Sequence, residues 1–225
     1  MIKIFCEGIG DKIFLADFIE TYYNIVFERK KKKNNKEKEQ VEIFYEDKIE
    51  IDDIEGCTNI HLNLYKHKFK NNTEINGKNL LIFDADYTER NGNNGYNSCI
   101  RKLDALKKHE EFPIEFEHYL WPNNTTDGYF EDLLVEIVNI KNKPILDCIE
   151  SNIYCLQKLS KTLNFNVPDD KAKINYYLHM FNQKTKAGER NYKDPEFWSL
   201  DCNIYQPLRN LKDFFDIHLT EYLKL

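Results

Sequence analysis

Apolar positions in the first thirty residues predict a strand followed by a helix. Residues 2–6 form a short apolar run that ends in Glu7 and Gly8, which is typical of a buried strand leading into a turn. The segment 11–29 then places its large apolar side chains on one helical face. Asp11 stands where a side chain caps the start of a helix. We therefore predict a strand, a tight turn at Gly8 and a capped helix.

The middle of the chain alternates between strand-like and helix-like patterns. Alternating apolar and polar residues predict three strands, at 41–47, 59–69 and 113–122. The nearly continuous apolar run at 78–86 predicts a strand that is covered on both faces. Helical spacing returns in two segments, 97–110 and 128–139. Strand–helix–strand alternation with connections of this length predicts an α/β fold, a mostly parallel sheet flanked by helices.

Two changes of character divide the chain. The charged, low-complexity run 29–40 predicts a solvated loop or an insertion. After Pro144 the pattern becomes helical throughout, so we expect a catalytic domain at 1–140 and a helical region at 141–225. The aromatic side chains of that last third are typical of core packing or of a subunit interface, in a homodimer or with another protein.

Composition excludes some classes of protein. A net charge of −6 over 225 residues does not fit a protein that coats nucleic acid by charge alone. It does fit an acidic nuclease, because bound metal ions offset the carboxylates that hold them. Six cysteines without zinc-like spacing, no signal-peptide pattern and no run long enough to span a bilayer lead us to expect a cytoplasmic protein without a membrane segment.

The candidate chemistry lies at strand ends. Asp84 and Asp86 are two residues apart at the end of the most apolar predicted strand, so they are expected to point the same way. Glu7 ends the first strand, and the carboxyl ends of neighbouring parallel strands are where ligands bind in such sheets. If the two strands are neighbours, these three carboxylates converge, and they suit Mg²⁺ or Mn²⁺ better than zinc. Glu131 and Asp132, in the first turn of a later helix, are equally well explained by the helix dipole.

These residues carry a resemblance to the TOPRIM domain, the metal-binding Rossmann-like fold of topoisomerases, primases and related nucleases. Glu7-Gly8, with Asp11 three residues on, and Asp84-Ala85-Asp86 match its glutamate–glycine and D-x-D motifs over about residues 1–140. The chain is most similar to small stand-alone TOPRIM proteins related to OLD-family nucleases, several of which act in anti-phage defence. In that branch a further acidic residue follows the next strand, and Glu131 or Asp132 fits this position.

The resemblance implies a Mg²⁺- or Mn²⁺-dependent endonuclease that cleaves DNA or RNA, tRNA included. Glu7 would bind metal or act as general acid or base, and a lysine near the scissile phosphate is expected, with Lys184 and Lys186 as candidates. Arg101 and Lys102 on a basic helix are candidate contacts to the phosphate backbone. Because the sequence shows no P-loop, an associated ATPase would be a separate subunit that holds the nuclease inactive or works with it.

Three alternatives remain open. Asp84-Ala85-Asp86-Tyr87-Thr88 also matches the D-x-D-x-T motif of haloacid-dehalogenase-type phosphatases, with Asp84 as nucleophile and Asp86 as acid–base. About eighty residues precede this motif, and residues 167–171 replace that family's later acidic pair poorly. A TOPRIM module that binds without catalysis, and aspartates that only cap a strand end, are the other two.

Overall fold

A computed structural model gives the architecture of the chain. It describes residues 1–33, 39–54, 63–88, 94–108, 115–168, 170–181, 183 and 186–223. The regular elements follow one another as β1 Ile2–Cys6, α1 Ile9–Tyr23, β2 Glu28–Lys33, β3 Glu39–Tyr45, β4 Ile49–Asp53, α2 Asn63–Glu74, β5 Lys78–Asp84, α3 Tyr96–Lys107, β6 Glu117–Trp121, α4 Phe130–Ile137, α5 Lys143–Ser160, α6 Asp170–Met180 and α7 Gln206–Leu223.

Within these described ranges, six strands form one sheet in the order β2-β3-β4-β1-β5-β6. The strands β4, β1, β5 and β6 are parallel, whereas β2 and β3 pair antiparallel at one side. Helices cover the sheet, so the predicted α/β fold with a mostly parallel sheet is confirmed. None of the helices in the described ranges combines the length and apolar character that crossing a membrane requires.

The central strands bury both of their faces, because neighbouring side chains point to opposite sides of a sheet. Ile4 and Ile82 belong to the larger core cluster, which also contains Phe14 of α1. Phe5 and Leu81 belong to the second cluster, together with Leu103 of α3. The helix α1 therefore packs on one face of the sheet and α3 on the other. The predicted two-sided burial of the 78–86 strand is confirmed for β5.

The predicted strand at 59–69 is wrong where the structure describes it, since residues 63–69 belong to α2. The stack of Phe69 on Phe5, with ring centroids 4.1 Å apart, holds this helix against the sheet. One turn later Asn72 donates to Asn79 Oδ1 at 2.9 Å. Phe69 and Asn72, three residues apart, therefore lie on the side of α2 that faces the sheet. The short alternation of apolar and polar residues around Phe69 resembles the pattern of a strand. Residues 59–62 lie outside the described ranges.

The predicted charged loop at 29–40 is also wrong over most of its length. Residues 28–33 and 39–45 pair as antiparallel strands, and 34–38 lie outside the described residues. Lysines at the edge of a sheet discourage pairing with other chains, so a charged run is compatible with an edge strand. Two of the charges also have specific partners: Arg29 binds Asp17 and Glu20 of α1, and Lys30 lies 4.5 Å from the Phe44 ring.

The helical character of the last third is confirmed by α5, α6 and α7. These helices pack into the larger core cluster that also contains β1, through Leu146, Tyr177 and Phe215. The start of α7 lies beside β6, where Tyr119 donates a buried hydrogen bond to the Pro207 carbonyl at 3.1 Å. The C-terminal helices therefore help to fix the face of the sheet on which α1 lies.

Candidate active site

The candidate site lies between the carboxyl ends of β1 and β5. These two parallel strands are neighbours, and the helices that follow them, α1 and α3, leave on opposite faces of the sheet. This arrangement opens a crevice at the strand ends, where ligands bind in α/β sheets. Glu7 follows β1 directly and Asp84 ends β5, and the Asp84 backbone N–H donates to Glu7 Oε1 at 3.2 Å. The structure thus brings the two carboxylates together.

Asp84 also connects the crevice to α4. Its Oδ1 accepts a hydrogen bond from the Phe130 backbone N–H at 2.7 Å, at the first residue of that helix. The next residue, Glu131, is thereby brought into the same crevice, with its side chain only 13% exposed. Burial raises the pKa of Asp84 well above its usual value, and the nearby Asp11 and Glu7 carboxylates raise it further.

Asp11 is part of the site and does not cap the helix. The helix α1 begins at Ile9, and Gly8 at its N-cap makes no side-chain capping bond. Asp11 is buried one turn into α1, where its Oδ1 accepts from Trp121 Nε1 at 2.9 Å. Burial, with Glu7 and Glu131 nearby, raises its pKa to about 7. The capping prediction is therefore wrong, because the carboxylate turns towards the strand ends.

Glu7 is influenced by several of the surrounding charged groups. Burial raises its pKa to about 7. The hydrogen bond from Asp84 N–H and the charge of Lys171 oppose this increase, whereas Asp86 and Glu131 add to it. We call Glu7, Asp11, Asp84 and Glu131 the acidic site. Its defining property is that buried carboxylates repel one another.

Asp86 reaches the site differently from the sequence prediction. β5 ends at Asp84, and Asp86 has a left-handed backbone with φ of 60°. The strand rule that places the two aspartates on one side does not apply to this backbone, so that expectation stays a prediction. The Asp86 carbonyl accepts from Gly128 N–H at 3.0 Å, which holds the segment against the loop before α4. Asp86 remains near enough to Glu7 to raise its pKa.

Asp132 turns away from the acidic site. Its Oδ2 accepts from the Tyr129 backbone N–H at 2.7 Å and from the Tyr87 hydroxyl at 2.9 Å. A Cβ on Gly128, which has φ of 146°, would lie 2.7 Å from the same oxygen. Asp132 therefore caps the start of α4 and packs beside a glycine that admits no side chain. Of the acidic pair 131–132, only Glu131 joins the cluster.

Gly8 lies in the bend between β1 and α1, as predicted, but this bend does not require a glycine. Its backbone is extended, with φ of −146°, and any residue adopts this conformation. A Cβ at this position would have Asp11 Oδ2 as its neighbour, at an ordinary contact distance of 3.6 Å. The conformation of the chain therefore does not require glycine here. What a missing side chain offers is space beside the acidic site.

Lys171, which the sequence analysis did not select, is the cation in contact with the site. It lies in the first turn of α6, with Nζ 3.8 Å from Glu131 Oε1 and a side chain 68% exposed. Partial burial opposes its charge, but Glu131, Asp84 and Asp11 raise its pKa overall. Forty residues separate Lys171 from Glu131, and no spacing rule connects them. Only the packing of α6 against α4 reveals the contact.

The other predicted basic residues lie on α3, in the turn at residues 186–189 or outside the described residues. Lys184 falls in the latter group. Lys186 belongs to a turn whose Gly188 is close to the start of α1, since a Cβ there would lie 3.0 Å from Ile9 Cγ1. Arg101 and Lys102 lie on α3, and Lys102 Nζ is 3.4 Å from Asn94 Oδ1.

In the described part of the chain, no group of three or more His, Cys, Asp or Glu side chains has a geometry ready to hold a metal ion. Glu7 and Asp84 each direct one oxygen to a backbone N–H group. The donor chemistry nevertheless fits a hard divalent cation, because all four members of the acidic site are carboxylates and burial disfavours their charge.

Fold and site together define an α/β protein with an acidic crevice at the carboxyl edge of its parallel strands. Residues 1–216 match the family model described as "Protein of unknown function (DUF3226)", and the chain belongs to this family. No curated protein and no solved structure matches the chain.

Proposed function

We propose that this chain is a TOPRIM-like nuclease that hydrolyses phosphodiester bonds of DNA or RNA with Mg²⁺ or Mn²⁺. The observation that carries the proposal is the convergence of Glu7, Asp11, Asp84 and Glu131 in one buried crevice, with Lys171 at its border. Three of these acidic residues come from the motifs that resemble TOPRIM. The fourth, Glu131, occupies the position expected for the OLD-like branch.

The charge balance of the acidic site supports a divalent cation. Carboxylates that raise one another's pKa favour either protons or a bound cation. Glu7, Asp84 and Glu131 would hold the ion, with Asp86 close by, and their oxygen donors suit Mg²⁺ or Mn²⁺. A bound ion of this kind supplies charge that activates water and stabilises a leaving oxygen.

The chain's own residues supply the remaining functions. Without a bound ion, a pKa of about 7 leaves Glu7 partly protonated near neutral pH, and binding of the ion would release this proton. Lys171 keeps a largely exposed ammonium group beside Glu131, where it attracts a phosphate oxygen of the substrate. Trp121 fixes the orientation of Asp11 through its indole N–H. We therefore assign metal binding to Glu7 and phosphate binding to Lys171.

The resemblance to OLD-like proteins supports two further parts of the proposal. One is a role as an effector of anti-phage defence in the cytoplasm. The other is a separate ATPase subunit that holds the nuclease inactive or works with it. Both are tested by adding candidate ATPases to the cleavage assay below.

The test is a cleavage assay with matched carboxylate variants. Purified protein is incubated with plasmid, single-stranded DNA and tRNA, in Mn²⁺, in Mg²⁺ and in EDTA. Asp84→Asn keeps an oxygen for Phe130 N–H, removes the charge, and is expected to lower cleavage by at least about 100-fold. Glu117→Gln is the control, because Glu117 is an exposed carboxylate at the opposite end of the strands. We expect it to leave cleavage unchanged.

Each alternative gives a distinct result in the same assay. Cleavage that survives Asp84→Asn contradicts the assignment. Hydrolysis of p-nitrophenyl phosphate without cleavage of nucleic acid favours the phosphatase, and binding of nucleic acid without cleavage favours a non-catalytic module.

Lys171→Gln is expected to lower cleavage by about tenfold or more, whereas Lys173→Gln, two residues further along α6, is not.

A further inference from the structure

The helix α5 presents a charged stripe to solvent. It consists of Asp147, Glu150, Tyr154, Lys158 and Lys161, and all five are exposed. Spacings of three and four residues place them on one side of the helix, and the backbone of Lys161 continues the helical conformation. The buried residues Leu146 and Ile149 anchor α5 to the core through another side. We call these five residues the α5 stripe.

The charges of the α5 stripe reverse sign about Tyr154. Asp147 and Lys161 each lie seven residues from Tyr154, and Glu150 and Lys158 each lie four residues from it. Two copies of α5 that cross antiparallel at Tyr154 therefore place each acid opposite a base. The two-fold symmetry of such a pair repeats both contacts, which makes four intermolecular ion pairs. One helix is thus electrostatically complementary to a second copy of itself.

Exposed apolar side chains also lie on α6, the helix beside this stripe. Lys173 of α6 pairs with Glu150 at 2.9 Å, so α6 lies alongside it. Tyr176 and Met180, three and seven residues after Lys173, are 48% and 60% exposed. Six of the eleven exposed large apolar residues in the described ranges fall between residues 154 and 180. Apolar area of this kind, framed by charges, is typical of a surface that binds another protein.

We propose that the α5 stripe is a self-association surface through which two copies of this chain form an antiparallel, two-fold symmetric dimer. Tyr154, 60% exposed, meets its symmetry mate at the axis, and Tyr176 and Met180 are exposed apolar side chains on the neighbouring helix α6. Exposed ion pairs contribute little individually, so the dimer dissociates readily and weakens as salt increases. This inference is independent of the proposed nuclease activity.

The test is sedimentation velocity of the purified full chain over a series of concentrations and salt conditions. We expect a monomer–dimer equilibrium in the wild type. Lys161→Glu sets like charges against Asp147 of the other copy, twice by symmetry, and is expected to raise the dissociation constant about tenfold or more. The swap Asp147→Lys with Lys161→Glu restores opposite charges and is expected to restore the dimer. Lys70→Glu, an equal charge change on α2, leaves it unchanged.

Three results would overturn the proposal. The first is a wild-type chain that stays monomeric at every concentration. The second is a dimer whose dissociation constant does not respond to Lys161→Glu. The third is a charge-swapped chain that keeps its helical circular dichroism but does not regain the dimer, because the antiparallel register is then wrong.

Discussion

The two ends of α1 each hold buried carboxylates, but their surroundings differ. At the amino end, Glu7 and Asp11 belong to the acidic site. Towards the carboxyl end, Asp17 and Glu20 are 3% and 9% exposed, which is similar to Asp11 at 8%, whereas Glu7 is half-buried. The comparison shows which effects come from burying a carboxylate and which come from the presence or absence of a charge partner.

Asp17 and Glu20 are neutralised by the chain itself. Asp17 binds Arg29 and accepts from the Tyr192 backbone N–H, both at 2.8 Å. Glu20 accepts from Phe27 N–H at 2.8 Å and binds both Arg29 and Lys193. Although burial acts to raise the pKa of Glu20, these partners hold it below its usual value. For Asp17, burial outweighs its partners, and the pKa is raised. This pair connects β2 and the residue 192–193 segment to α1, which is a structural role.

Glu7 lacks equivalent compensation. Its Oε1 also accepts one backbone N–H, but Lys171, a cation that lowers its pKa, contacts Glu131 at 3.8 Å and is mostly exposed. The pKa of Glu7 is accordingly raised to about 7, opposite in direction to that of Glu20. Buried charge alone therefore does not mark a functional site. Buried charge without enough internal counter-charge does, because it calls for a cation from outside.

The largest effect is expected from making the same substitution at both glutamates. Glu20→Gln keeps an oxygen for Phe27 N–H but turns an amide group towards Arg29 and Lys193. It is expected to lower the free energy of unfolding by about 2–3 kcal/mol. Glu7→Gln removes a repelling charge and, in EDTA, is expected to raise the free energy of unfolding by about 1 kcal/mol. Urea denaturation measures both, and an equal loss in the two variants would remove the distinction.

An intermediate effect is expected from divalent cations. Mn²⁺ binding to the folded chain stabilises it by about 2.7 kcal/mol at 100 times the dissociation constant. The temperature of unfolding should therefore rise on adding Mn²⁺ and fall again with EDTA. Asp84→Asn is expected to lose most of this increase, whereas Glu20→Gln, although less stable, keeps it. An increase that is the same in Asp84→Asn places the cation elsewhere.

The sequence predicts those parts of the molecule in which one strong pattern decides the outcome. The apolar runs of β1 and β5 predict buried strands, and their acidic ends predict that Glu7 and Asp84 meet. The sequence pattern does not predict β4, because this strand is only five residues long and two of them are aspartates. Short segments of this kind take their structure from tertiary pairing more than from local pattern.

The incomplete prediction of the site has a related cause. Asp11 occupies a sequence position that is typical of helix caps. Only its hydrogen bond from Trp121 shows that the side chain turns towards the interior. Lys171 comes from a helix that follows the sheet in sequence by about fifty residues, so no local spacing connects it to Glu131. Side-chain direction and long-range packing are the two properties that a pattern of residue types does not contain.

The smallest effect is the pH dependence of the same two glutamates. Glu7 titrates near 4.3 when unfolded and at about 7 in the folded chain, so the folded state holds its proton longer. The stability that this proton provides is present below about 4.3 and is lost as the pH rises through about 7. In EDTA, the gain from Glu7→Gln should therefore grow over this range. For Glu20, whose pKa is lowered, stability is present above its unfolded pKa and is lost at acid pH.

Repeating the pH measurements in saturating Mn²⁺ distinguishes a general effect of charge on stability from the binding of a cation at Glu7. A cation held by Glu7 competes with its proton, so the wild type should no longer lose stability as the pH rises, and the gain from Glu7→Gln should disappear. The pH profile of Glu20→Gln should stay the same with and without Mn²⁺, because Arg29 and Lys193 already balance that carboxylate. A Glu7 profile that Mn²⁺ leaves unchanged would mean that protons, and not a metal ion, balance the charge at the amino end of α1.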